Sequence, residues 1–95
     1  MVQNKPKLAM VRIRGRVQGV SFRVWTRMEA RKLALTGWVR NEADGSVAAL
    51  IAGTEVAVSA MLQKFWQGPP GANVSSVTSE NIDTGEAPDS FDIVS

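Results

Sequence analysis

Residues 15–23, Gly15-Arg16-Val17-Gln18-Gly19-Val20-Ser21-Phe22-Arg23, combine two glycines, a short loop and an arginine where a helical pattern begins. Glycine lets a backbone approach a ligand closely. Successive N–H groups in such a loop can turn inward and form an anion cradle. A helix starting at Phe22 adds unpaired N–H groups and a partial positive charge behind them. Arg23 falls in the first helical turn, where a cation opposes the helix dipole by ~0.3–1 kcal/mol. A residue that works against local stability points to work on a ligand, and its guanidinium fork matches two phosphate oxygens. Loop shape alone favours a plainer reading, a tight connection with a solvated arginine, because the segment lacks the lysine pattern of nucleotide-binding phosphate loops. Asn41 can both accept from and donate to water. Taken alone, it reads first as a turn residue at a strand end.

Missing residue types narrow the chemistry further. The 95 residues contain no Cys, which excludes disulfides, thiolate nucleophiles and Cys-based metal sites. They contain no His, so neither a Ser–His–Asp triad nor a His-based zinc site can be built. An enzyme on this chain works with Arg, Lys, carboxylates, amides, hydroxyls and backbone groups. We expect no metal and no cofactor.

The net charge of +2 hides a strong asymmetry. Residues 1–40 hold ten basic side chains against one acid, Glu29; residues 41–95 hold one base, Lys64, against eight acids. A basic half favours an anionic partner, either a small phosphorylated substrate or nucleic acid. Pairing of the two halves across the folded surface explains the pattern equally well. No apolar stretch approaches the ~20 residues of a membrane helix. The polar start, Met1 to Lys7, lacks a signal-peptide core, so the expected address is cytoplasmic.

The elements that must position Arg23 and Asn41 follow from periodicity. Lys7 to Arg14 alternates, with Ala9, Val11 and Ile13 on one side, and reads as a strand ended by Gly15. Phe22 to Leu35 reads as a helix, with Phe22, Thr26, Ala30 and Leu33 on the packing face and Gly37 as its stop. Gly37 to Asn41 is a second strand and Asp44-Gly45 a hairpin turn. Ser46 to Ala52 is apolar on both faces, hence a central strand. Thr54 caps a second helix with Val56, Met61, Leu62 and Phe65 as apolar positions, stopped by Gly68-Pro69-Pro70-Gly71. Val74 to Glu80 and Phe91 to Val94 are the last strands. This order predicts one α+β domain over residues 1–95, a ferredoxin-like split β-α-β sandwich: a mixed, largely antiparallel sheet of four to five strands with two helices on one face. Right-handed crossovers set the first two strands parallel, with the third antiparallel between them. The loop, the first helix's N-terminus and Asn41 then meet at one sheet edge.

The segment 15–23, followed by Gly37-Trp38-Val39-Arg40-Asn41 and Asp44-Gly45-Ser46-Val47, closely resembles the two signature stretches of the acylphosphatase family. The resemblance covers nearly the whole chain, including element order, the Gly-Pro-Pro-Gly break and the Phe91-Asp92-Ile93 end. It implies hydrolysis of the carboxyl–phosphate bond of acyl phosphates, releasing inorganic phosphate, which also competes with substrate. It implies that Arg23 binds the phosphate together with the loop of Gly15, Arg16, Val17, Gln18, Gly19, Val20, Ser21 and Phe22. It implies that Asn41 orients the attacking water and that the substrate's own phosphate takes the water's proton. The residue inventory suits this chemistry. An acyl phosphate is already activated, so the protein needs to hold the phosphoryl group, neutralise its oxygens and aim a water in line.

Other residues read more plainly. Asp44 and Gly45 are hairpin chemistry, Trp25, Trp38 and Trp66 are packing residues, and Ser21 has no base partner to make it a nucleophile. The alternative is a non-catalytic anion- or nucleic-acid-binding module on the same plan. RNA readers of this plan carry aromatics in the middle of strands one and three. Leu8 to Ile13 and Val47 to Ala52 carry none. We therefore expect no nucleic-acid partner, no membrane association and a monomer.

Overall fold

In a computed structural model, which describes residues 5–82 and 86–94, the chain runs β1 (Lys7–Arg16), α1 (Phe22–Lys32), β2 (Thr36–Asn41), β3 (Val47–Gly53), α2 (Glu55–Gln67), β4 (Asn73–Ile82) and β5 (Phe91–Ile93). The five strands form one sheet in the order β4-β1-β3-β2-β5. β3 lies antiparallel between β1 and β2, as its two-sided apolar sequence requires, and only β5 joins in parallel, beside β2. This is the expected ferredoxin-like α+β plan. The polar start at residues 1–4 lies outside the described residues.

Alternation in β1 sorts the sheet faces. Ala9, Val11 and Ile13 are buried under the helices, while Met10, Arg12 and Arg14 lie on the opposite face. α1 buries Phe22, Thr26 and Ala30, and α2 buries Ala57, Val58, Met61 and Phe65. Phe22 stacks on Phe65 with ring centroids 6.2 Å apart and also meets Trp25 at 5.3 Å. The start of α1 is thereby fixed to the core, and truncating Phe22 to Ala would cost about 3–5 kcal/mol. Glu29 ties the two helices on their outer side, 3.0 Å from Lys64 of α2 and 3.1 Å from Lys32. Hydrogen bonds from Lys64 and then Lys32 hold its carboxyl below the ordinary range.

Several sequence expectations need correction. β1 does not end at Gly15 but continues through Arg16, with a register shift between Arg14 and Gly15 against β4. Gly15 (φ 123°) serves close approach, since a Cβ there would overlap the Asn73 carbonyl and crowd the Ser75 amide. α1 ends at Lys32 rather than Leu35. Its stop is Ala34, not Gly37: Ala34 takes the left-handed conformation (φ 57°) and the Leu35 N–H donates to the Ala30 carbonyl at 2.9 Å. Gly37 sits inside β2, where a Cβ would overlap the Leu50 carbonyl of β3. Val56 and Trp66 were expected to pack, yet they are 81% and 54% exposed. Each is offset by about 100° from a true packing position, Ala57 or Phe65, so the apolar stripe of α2 misses them.

Half of the ten N-terminal bases pair with acids of the other half of the chain. Lys7 pairs with Glu55, Arg12 and Arg14 with Asp44, Arg31 with Asp92, and Arg40 with Glu42.

Candidate active site

The C-terminal end of β1 and the C-terminal end of β2 open on the same sheet edge, because β3 runs antiparallel between them. The segment leaving β1 reverses direction through Gly19 (φ 76°) and Ser21 (φ 63°) before entering α1. Ser21 is the N-cap residue, but it holds the left-handed conformation and its side chain caps nothing. No acid occupies the first turn of α1. The first amide bonded into the helix is that of Trp25, which donates to the Ser21 carbonyl at 3.0 Å. Among the described residues, the N–H groups from Gln18 to Val24 have no protein acceptor. Free amides at the positive end of a helix are the kind of group that can hold an anion.

Gln18 fastens this loop to the strand pair that carries Asn41. Its amide nitrogen donates to the Glu42 carbonyl at 2.9 Å and to the Ser46 carbonyl at 3.0 Å. The turn beneath is locked in turn by Asp44, whose Oδ1 accepts from the Ser46 N–H at 2.9 Å and its Oγ at 2.6 Å. Hydrogen bonds from Ser46, and secondarily the Arg14 guanidinium, lower the Asp44 carboxyl from 3.8 to about 2. The hairpin therefore presents Asn41 from a fixed frame.

Between loop and hairpin lies a cavity of about 370 Å³, within the range of small-molecule sites. Arg23 and Asn41 both line it, together with Val17, Gln18, Gly19, Ser21 and Phe22. Gly15, Arg16 and Val20 do not: Gly15 and Arg16 belong to β1, and Val20 packs against the core and faces Gly71. Among the described residues, no carboxylate lies within 4.0 Å of the Arg23 guanidinium. The Asn41 Oδ1 is buried and accepts no hydrogen bond from the protein. A buried acceptor left this way costs about 1–3 kcal/mol, and a donor arriving in the cavity relieves that cost. Two lining residues were missed from sequence, Val24 and Ile93. Val24 had a signal, as an apolar residue beside Arg23 on the outer side of the helix. Ile93 had none, because nothing local shows that β5 will pair with β2. Among the described residues, no group of His, Cys, Asp and Glu could hold a metal ion.

The acylphosphatase family model matches residues 9–93. The chain belongs to the acylphosphatase family. It is 63% identical over 87 residues to the acylphosphatase of Rhizobium meliloti, covering 92% of each chain. It is 53% identical over 93 residues to that of Mesorhizobium japonicum, covering 98% of this chain and 99% of the relative. Its fold superposes on the solved structure of an acylphosphatase from Coxiella burnetii with a TM-score of 0.92 and 35% identity, over 99% of this chain and 100% of the other. The matched residues include both the loop–helix junction and the end of β2, and the activity shown is that of an acylphosphatase.

Proposed function

We propose that this acylphosphatase binds the phosphoryl group of an acyl phosphate in the cradle of residues 17–23 and directs a water at phosphorus with Asn41. The observation that carries the reading is the convergence, in one cavity, of unsatisfied amides, an arginine without a carboxylate neighbour and the orphaned Asn41 Oδ1. Among the described residues each group lacks a protein partner, and each is complementary to one part of a phosphoryl group under attack. The loop amides and the Arg23 fork neutralise the equatorial oxygens. The Asn41 Oδ1 accepts a hydrogen bond from the water and so turns a lone pair toward phosphorus. The new P–O bond forms from the water oxygen as the bond to the acyl oxygen breaks, and its electron pair leaves on the carboxylate. A phosphate oxygen of the substrate takes the water's proton, so no side-chain base is required.

Three further bases are held by acids of the chain rather than left for nucleic acid. Arg12, Arg14 and Arg40 are engaged by Asp44 and Glu42, and Arg40 also covers the Trp38 ring, 4.7 Å from its centroid. We read the protein as a monomeric cytoplasmic enzyme that needs no cofactor. No described helix is long and apolar enough to cross a membrane.

A timed benzoyl phosphate assay, with and without inorganic phosphate as competitor, tests the reading. Asn41→Ala is expected to lower kcat by ~10²–10³ while phosphate inhibition persists. Near-normal turnover in that variant would remove Asn41 from the reaction, and absence of phosphate competition would remove the cradle.

A further inference from the structure

The cavity is lined by two kinds of residue. Gln18, Gly19, Ser21, Arg23 and Asn41 are those of the proposed phosphate site. The others are apolar: Val24 and Ile93, with the buried Val17 and Phe22. Val24 contributes nothing to the core: it is 44% exposed and lies off the helix face that buries Phe22, Thr26 and Ala30. Nor does it suit its position. A β-branched residue is a mediocre helix former, and the first turn of a helix favours Asp or Glu. Ile93 comes from the opposite end of the chain. Parallel pairing sets it beside Val39 of β2, and the Val94 N–H donates to the Val39 carbonyl at 2.9 Å. Buried Phe91 anchors the strand, and Ile93, two residues on, falls on the same face.

We propose that Val24 and Ile93 form an acyl subsite, the surface on which the organic part of the substrate rests while the phosphoryl group occupies the cradle. The proposal rests on the phosphate-site reading above and adds a substrate class to it. An aryl or branched-alkyl acyl group removes apolar area of both side chains from water, whereas an acetyl group is too small to cover the pair. The enzyme therefore prefers acyl phosphates with bulky apolar acyl groups, and the preference resides in two residues outside the signature stretches.

The test is the ratio of kcat/KM for benzoyl phosphate to that for acetyl phosphate, in the unaltered protein and in Val24→Thr and Ile93→Thr. Threonine keeps the β-branch; it replaces a methyl of Val24 by a hydroxyl, and the ethyl branch of Ile93 by a hydroxyl. One methylene in a closed pocket is worth at least about tenfold, so a wall open on one side should lower the ratio roughly three- to tenfold in each variant. The inhibition constant of inorganic phosphate should stay where it was. Val24 is exposed enough that its variant keeps the fold, so the test stands even where Ile93→Thr loosens β5. Equal falls for both substrates, or no fall for benzoyl phosphate, overturn the subsite and leave the phosphate site standing. An unaltered protein that hydrolyses neither substrate overturns the reading on which the subsite rests.

Discussion

α1 and α2 occupy equivalent places in the two halves of the fold, yet their N-termini are built oppositely. α2 is closed: the Thr54 hydroxyl accepts from the Ala57 N–H at 3.1 Å, and Glu55 puts a negative charge in the first turn. α1 is open: Ser21 caps nothing, no acid follows, and Arg23 adds positive charge to an end already positive. The closed terminus serves stability alone. The open one forgoes about 1 kcal/mol of capping, and among the described residues its first amides have no protein acceptor. The same local device, a loop entering a helix, is thus finished in one place and left unfinished in the other.

The strongest way to break this contrast is Arg23→Ala. It should lower kcat/KM for benzoyl phosphate by roughly 10²–10³, while thermal unfolding shows stability unchanged or slightly raised, because a cation leaves the positive end of α1. A large fall in melting temperature would instead make Arg23 structural. Next comes Ser21→Asp, which brings a carboxylate to the open end and makes α1 resemble α2. The inhibition constant of inorganic phosphate should rise about tenfold or more, from repulsion of the anion in a partly enclosed site. Unchanged inhibition would mean that the anion sits elsewhere. Thr54→Ala opens the closed terminus and should cost ~1 kcal/mol in urea unfolding, with benzoyl phosphate turnover unaltered.

The smallest expected effect concerns the hairpin that frames the open end. The Asp44 carboxyl titrates at about 2 in the folded chain, below its ordinary 3.8. A depressed carboxyl contributes stability that is complete above the unfolded value and is lost as pH falls through the folded one. Unfolding stability should therefore drop between pH ~4 and ~2. Asp44→Asn should flatten that part of the acid limb without moving the plateau's pH dependence near neutrality. An unchanged acid limb in the variant would show that Ser46 and Arg14 do not hold the ionised form.

Much of this was readable from residue order because it depends on near neighbours. The Thr54 cap, the Asp44-Gly45 turn and the start of α1 at Phe22 are contacts across three or four residues. The central place of β3 follows from apolar residues on both its faces. Gly15 and Gly37 were misassigned for a different reason. Each has a glycine because another strand's backbone passes too close for a Cβ, at Asn73 and at Leu50, and neither neighbour is near in sequence.

The sequence by itself determined the element order, the Thr54 cap and the residues able to bind an anion, since period, propensity and side-chain type are local properties. Only the tertiary structure decided which of ten N-terminal bases stands without a carboxylate at the cavity. Only it left the Asn41 Oδ1 unpartnered and brought Ile93 to a site whose loop begins some 75 residues earlier in the chain. Those outcomes depend on strand pairing and burial, where a group's partner is set by chain segments that meet only once the sheet has closed.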